Sequence, residues 1–134
     1  NMEILKEHYL FNFNWIRFFY FYRGHKFKNV LWGSFNLAVR KREKFFQINN
    51  GSIQRDYLHI DDVAKIIWKL ALLNKNLGIV NVCSNKPISV TSLVNKWIKK
   101  SKFNIRIKHG KKKVILHEKK SYWGSNKKLK SFIK

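Results

Sequence analysis

One stretch, residues 54–101 (QRDYLHIDDVAKIIWKLALLNKNLGIVNVCSNKPISVTSLVNKWIKKS), does most to limit what this chain can become. It opens on an extended segment, Gln54 to Ile60, that enters a helix through Asp61 and Asp62. In that helix Val63, Ile66, Ile67 and Leu70 recur at helical spacing, so one apolar stripe faces a core. Asp61 is the N-cap candidate, and two carboxylates in the first turn suit the positive end of the helix dipole. After Gly78 the β-branched run Ile79–Cys83 reads as a buried strand. Ser89 then caps a second helix whose stripe is Val90, Leu93, Val94, Trp97 and Ile98. Strand, helix, strand, turn and capped helix make an α/β pattern with helices lying on a sheet.

Charge and composition bound the partners. The 134 residues leave room for one domain with a modest core, and an apolar content of 45% is that of a globular chain. A formal charge of +22 fits either a polyanion partner or a compositional drift toward lysine, with solubility rather than fold at stake. Cys83 has no second cysteine to pair with and sits in an apolar run, so it reads as a buried thiol in a cytoplasmic protein. No signal peptide is visible, and no uncharged apolar run is long enough to cross a bilayer. The five histidines form no ligand set at metal-binding spacing.

The wording RDYLHIDDVA followed by GIVNVCSNKPISVTSLV resembles the C-terminal half of the extended short-chain dehydrogenase/reductase family. Those are NAD(P)-dependent epimerases, dehydratases and reductases acting on nucleotide sugars. The resemblance implies an α/β fold, the C-terminal part of an NAD(P)-binding Rossmann-type enzyme with the glycine-rich half absent. Residues 1–134 would then be a single partial domain, the substrate-binding half. NAD or NADP is the cofactor of the full-length family, and no motif in this chain binds it. The six glycines are scattered, and no G-x-G-x-x-G turn follows a strand. Asn1 precedes Met2, so either the chain continues a longer product or Met2 opens it; both leave the dinucleotide-binding half outside these residues.

Read in order, residues 2–10 look like the end of a helix with Met2, Leu5 and Tyr9 or Leu10 apolar. In the resembling family this segment follows the helix bearing the catalytic Tyr-x-x-x-Lys pair. Tyr22 and Lys26 have that spacing but straddle Gly24 beyond the next strand, so no catalytic residue is assigned. Residues 14–22 (NWIRFFYFY) form an aromatic strand resembling the family's R-x-F-N/Y-x-Y-G, with Tyr20 at a substrate-contacting position. Arg23 replaces the glycine expected next. A loop from residue 24 enters a helix at about Asn29, which is either a plain cap or a sugar-pocket residue, and whose helix buries Leu31, Phe35, Leu37 and Ala38. Residues 44–49 read as a strand, and Asn49–Ser52 as the tight turn of a hairpin into QRDY.

Arg55 resembles the family arginine that grips the nucleotide diphosphate, where a guanidinium fork matches phosphate oxygens; an ion pair with Asp56 or a helix-end acid is the plainer reading. Asp56, Tyr57 and His59 are expected to fix the strand's exit. Asn85 takes a turn position often held by glycine, which asparagine's tolerance of the left-handed conformation allows. Residues 104–110 make a short strand, and 117–129 resemble the family tail, with Ser125 and Lys127 departing from it. Lys119 lies near where many members place a second phosphate-binding arginine. The substrate-binding candidates are therefore Arg55, Tyr20, Asn29 and Lys119. The expected partner is a nucleotide-diphosphate sugar, with a separate N-terminal half or a second copy completing the sheet; strands left with open edges would invite aggregation. The isolated chain is expected to show no turnover. A small basic nucleic-acid-binding protein is the alternative, and it rests mainly on charge.

Overall fold

In a computed structural model of the chain, residues 2–9, 11–22, 30–111 and 119–133 are described. Helix α1 (Met2–His8) leads into β1 (Asn14–Phe18) and β2 (Tyr20–Tyr22). Helix α2 (Leu31–Arg40), β3 (Phe45–Ile48), β4 (Gln54–His59) and α3 (Ile60–Leu72) follow. Next come β5 (Gly78–Val82), β6 (Pro87–Ser89), α4 (Val90–Ser101) and β7 (Arg106–His109). The chain closes with β8 (Ser121–Tyr122) and α5 (Lys127–Phe132). This is the α/β architecture the periodicities predict.

The pairing runs differently from the local reading in two places. The aromatic run 14–22 is two strands, broken at Phe19: β1 pairs in parallel with β5, and β2 pairs in parallel with β4. A continuous alternation of aromatics carries no mark of such a break, because each half still satisfies the two-residue period. Nor do β3 and β4 form a hairpin. β3 pairs in parallel with β7, from Phe45 beside Arg106 to Ile48 beside His109. The turn at Gly51 instead crosses between sheets over the start of α4, where the Gly51 carbonyl accepts from the Thr91 N–H and the Ile53 carbonyl from the Val90 N–H. A Cβ on Gly51 would run into the Thr91 hydroxyl, so the crossing needs glycine.

Strand β4 is the hub. Its second half, Tyr57–His59, pairs with β2, while its first half lies between antiparallel β6 and parallel β8. The register of β1 on β5 is pinned by Asn14, whose Oδ1 accepts from the Leu77 N–H at 2.5 Å and whose amide donates to the Lys75 carbonyl. Ser89 caps α4 as expected, its hydroxyl accepting from the Ser92 N–H at 3.1 Å. Asp61 does not cap α3. That position is His59, whose Nδ1 accepts from the Asp61 N–H, and the two acids sit inside the first turn. Asn85 adopts the left-handed conformation (φ 59°).

Two apolar cores result among the described residues. One gathers Phe35 and Ala38 of α2, Phe46 and Ile48 of β3, Leu93, Val94 and Trp97 of α4, and Ile105. The other sets Val63 and Leu70 of α3 against Val80 and Val82 of β5 and Leu129 of α5. The stripe read for α3 is narrower than its spacing implied: Ile67 is exposed, as are Trp68 and Leu72. Met2 and Leu5 of helix α1, and Tyr9 just after it, are likewise exposed. Trp15 and its cross-strand partner Ile79 lie on the uncovered face of the β1–β5 pair, Trp15 at 55% exposure.

Candidate substrate-binding site

The hub strand carries two charged residues that the interior would reject if they were unpartnered. Asp56 has no solvent exposure, and its carboxylate accepts from the Ser84 N–H at 2.7 Å, the Asn85 N–H at 2.9 Å and the Gly124 N–H at 3.5 Å. It therefore ties the turn after β5 and the C-terminal segment to β4, whereas the sequence suggests that it fixes the strand's exit. Gly124 fits there because a Cβ would overlap the Phe19 ring and come within 2.8 Å of Cys83 Sγ. Burial, with the Asp56 charge second, pushes the Cys83 thiol up to about 11, partly offset by the Asn85 N–H. Cys83 is thus a neutral packing group at ordinary pH.

Arg55, 5% exposed, points the other way along the hub. Its Nη1 donates to the carbonyls of Gln54 at 2.8 Å, Lys119 at 3.0 Å and Lys120 at 3.5 Å. Its Nε donates to the Tyr20 hydroxyl at 3.2 Å, and the guanidinium carbon stands 5.7 Å from the Tyr20 ring centroid, in cation–π range. Three of the four sequence candidates thus meet at one point: Arg55, Tyr20 and Lys119. Lys119 takes part through its backbone carbonyl, with its side chain exposed, rather than as a second cation. Asn29 lies outside the described residues. Asp56, one acid considered as Arg55's partner, spends its oxygens on backbone amides instead.

Tyr20 also forms one wall of a cavity of about 450 Å³, together with Tyr22, Leu31, Trp32, Tyr57 and Trp97. Its rings interlock: Trp32 meets Trp97 edge-on at 4.6 Å, Tyr22 lies 5.3 Å from Trp97, and Tyr20 lies 5.6 Å from Tyr57. Burial raises the Tyr57 phenol above its ordinary value, against the pull of Arg55, so it stays a hydrogen-bond donor. Trp97, 4% exposed, has no acceptor for its buried Nε1–H among the described residues. Periodicity alone puts Trp97 in the core stripe of α4. A stripe cannot reveal that the ring closes a cavity, since packing and lining use the same side chain.

A dinucleotide does not fit the described strand-to-helix turns. The turn from β4 to α3 is closed by the His59 imidazole and followed by two carboxylates, and that from β6 to α4 is closed by the Ser89 hydroxyl. Neither has the glycine that lets backbone approach a pyrophosphate, and Asp61 and Asp62 would repel one.

Comparisons with known proteins bear on the family and the fold. A curated dTDP-6-deoxy-L-talose 4-dehydrogenase (NAD(+)) from Aggregatibacter actinomycetemcomitans is 26% identical over 114 residues, covering 85% of this chain and 42% of that protein. Among solved structures, UDP-N-acetylglucosamine 4-epimerase from Methanobrevibacter ruminantium M1, in complex with UDP-N-acetylmuramic acid, superposes with a TM-score of 0.78 at 18% identity. That match covers 98% of this chain and 43% of the epimerase. UDP-glucuronic acid 4-epimerase from Bacillus cereus, in complex with UDP-glucuronic acid and NAD, gives 0.71 at 17% identity over 88% of this chain and 38% of that one. The chain therefore spans about two fifths of the length of these relatives. The sequence pattern of the NAD dependent epimerase/dehydratase family matches residues 3–83, a segment that runs through the aromatic strands, the Arg55 hub, α3 and β5. The chain belongs to the NAD dependent epimerase/dehydratase family.

Proposed function

We propose that this chain supplies the sugar-nucleotide-binding part of an NAD(P)-dependent enzyme that epimerises, dehydrates or reduces a nucleotide-linked sugar. The observation that carries the reading is the half-buried contact of Arg55 with Tyr20, a residue that lines the aromatic cavity. Arg55 is the diphosphate-gripping residue, and Tyr20 faces the sugar. A nucleotide-linked sugar is named in the relatives' own descriptions, and an anionic substrate suits a chain of +22 formal charge. The nicotinamide chemistry needs groups these residues do not provide: the hydride carrier and an acid/base pair come from outside the segment described. In this reading the 134-residue chain binds substrate and does not turn it over, and hydride transfer by the purified chain in a coupled assay would defeat that part.

The binding part is tested by titrating the chain with thymidine diphosphate and uridine diphosphate by calorimetry or ligand-observed NMR. Saturable binding is expected, weakened tenfold or more in Arg55→Met and less in Arg55→Lys, which keeps the charge and loses the fork. Circular dichroism checks that each variant keeps its fold. Absence of binding below roughly 10 mM by either nucleotide would overturn the reading.

A further inference from the structure

The basic residues are not spread evenly over the fold, and one end of it collects them. Helices α2 and α4 each run through a short connection into one strand of the β3–β7 pair. Those strands are parallel with Phe45 beside Arg106, so both helices finish at the same end. There the Arg106 N–H donates to the Lys44 carbonyl at 3.0 Å and holds the two connections together. Segments 40–44 and 99–106 hold eight Lys and Arg in thirteen residues, against 29 in 134 overall, so compositional drift does not account for the cluster. All eight are exposed, and Glu43 is the one acid in the two segments. Cations in a last helical turn complement the dipole, which explains Arg40, Lys99 and Lys100. Arg42, Lys44, Lys102 and Arg106 lie past the last turn. Two of these carry a backbone cost as well. Arg42 (φ 54°) and Lys102 (φ 55°) hold the left-handed conformation that ends a helix, where glycine is the default.

We infer that this end of the molecule docks on an anionic phospholipid membrane, with headgroups facing the lysines and arginines and Phe45 entering the interface. The contact is peripheral, since no helix among the described residues is long and apolar enough to span a bilayer. Phe45, 53% exposed, lies on the outer face of β3 next to Arg106. A ring set among cations is the combination that interfacial segments use. The two helices bring carbonyl ends here, not the N–H ends that hold a discrete phosphate. A lipid surface needs no such cradle, because its potential acts on every cation within a Debye length, about 10 Å at 0.1 M salt. Single-stranded nucleic acid is held by successive stacking rings, and Phe45 is the one exposed ring of α2, β3, α4 and β7 among the described residues. The cavity lies toward the opposite end of α2: Leu31 and Trp32 line it, and Arg40 stands about 13 Å further along the helix. Docking therefore leaves the cavity free, and it is independent of sugar-nucleotide binding.

Flotation of the whole chain with phosphatidylcholine vesicles, either pure or about one third phosphatidylserine, reads the contact. Binding is expected to the anionic vesicles alone at about 0.1 M salt, with release at about 0.5 M. Arg42→Gly/Lys102→Gly removes two of the charges and relieves the left-handed strain, so it keeps the fold and should bind roughly tenfold more weakly. Lys65→Gln/Lys130→Gln removes as many charges from exposed positions on α3 and α5 and should bind like the unchanged protein. Circular dichroism follows each variant. Should the glycine pair not fold, Lys44→Gln/Arg106→Gln, both at exposed positions, carries the same expectation. Equal weakening in the patch and control variants would assign binding to overall charge and overturn the inference. So would a failure to bind anionic vesicles. A patch variant that loses affinity for a single-stranded oligonucleotide while its vesicle binding stays unchanged would also overturn it.

Discussion

Replacing Asp56 by Asn tests the claim that a buried carboxylate, rather than apolar packing alone, holds the turn after β5 and the C-terminal segment on the hub. The side chain keeps its size and loses its charge. Asn offers one acceptor oxygen where Asp offers two, and its NH₂ must face at least one N–H that now finds an oxygen: Ser84 at 2.7 Å, or Asn85 at 2.9 Å with Gly124 at 3.5 Å. A hydrogen bond to a charged acceptor contributes about 1.5–3 kcal/mol, and an unpaired buried N–H costs a similar amount. One such bond lost, with the remaining ones no longer charge-assisted, gives an expected destabilisation of about 2–4 kcal/mol. A domain of this size has about 5–15 kcal/mol to lose, so the variant should fold and be measurable. Urea denaturation followed by tryptophan fluorescence reads the change in midpoint, and Asp62→Asn, on an exposed position of α3, serves as a control expected to cost only its helix-dipole contribution, about 0.3–1 kcal/mol. Hydrogen exchange at the amides of Ser84, Asn85 and Gly124 should accelerate in the variant ahead of global unfolding. A change below about 0.5 kcal/mol, or unaltered exchange at those amides, would refute the assignment.

Three further outcomes follow from the same geometry. Gly124→Ala should destabilise by about 1–3 kcal/mol, because the new methyl meets the Phe19 ring and Cys83 Sγ; a neutral thermal shift would show that the segment gives way freely. Ser89→Ala removes the α4 cap and should cost about 1 kcal/mol in a denaturant titration, with Ser89→Asp restoring most of it. Cys83, held up to about 11, should react with iodoacetamide in the folded chain about a hundredfold more slowly at pH 8 than a free thiol. The folded thiol keeps its proton where the unfolded one, near 9, has lost it. That contribution to stability is therefore full below pH 9 and is lost as pH rises toward about 11; a denaturation midpoint that rises over that window would contradict the burial argument.

Much of the fold was legible because some signals are local. The α4 stripe with Ser89 in front of it, the α3 acids in the first turn, and Asn85 at a left-handed turn each follow from neighbouring residues, and each is found. What escaped is non-local. The parallel pairing of β3 with β7 leaves no trace in NNGS, which looks like a hairpin turn wherever it occurs. β6 and β8 are too short for a period to show, and their places depend on β4. At the site, Arg55 and Tyr20 are legible in the sequence, but the Gln54 and Lys119 backbone carbonyls that accept from the guanidinium carry no residue-type signature. Trp97 was visible as a core residue, but that its buried N–H finds no acceptor among the described residues shows only in the folded chain.

The contact between Arg55 and the carbonyls of Lys119 and Lys120 sets an order of assembly. About sixty-five residues separate the guanidinium from its acceptors, so the arginine leaves the ribosome well before they are made. At a synthesis rate of about 5–20 residues per second it waits several seconds with its charge bound for an interior not yet closed. Until then β4 lacks its β8 neighbour, and the Arg55 side chain lacks the Lys119 and Lys120 carbonyls. A nascent chain stalled before Lys119 should therefore expose the hub to proteases and chaperones, and the surroundings of Arg55 would be among the last parts of the molecule to mature.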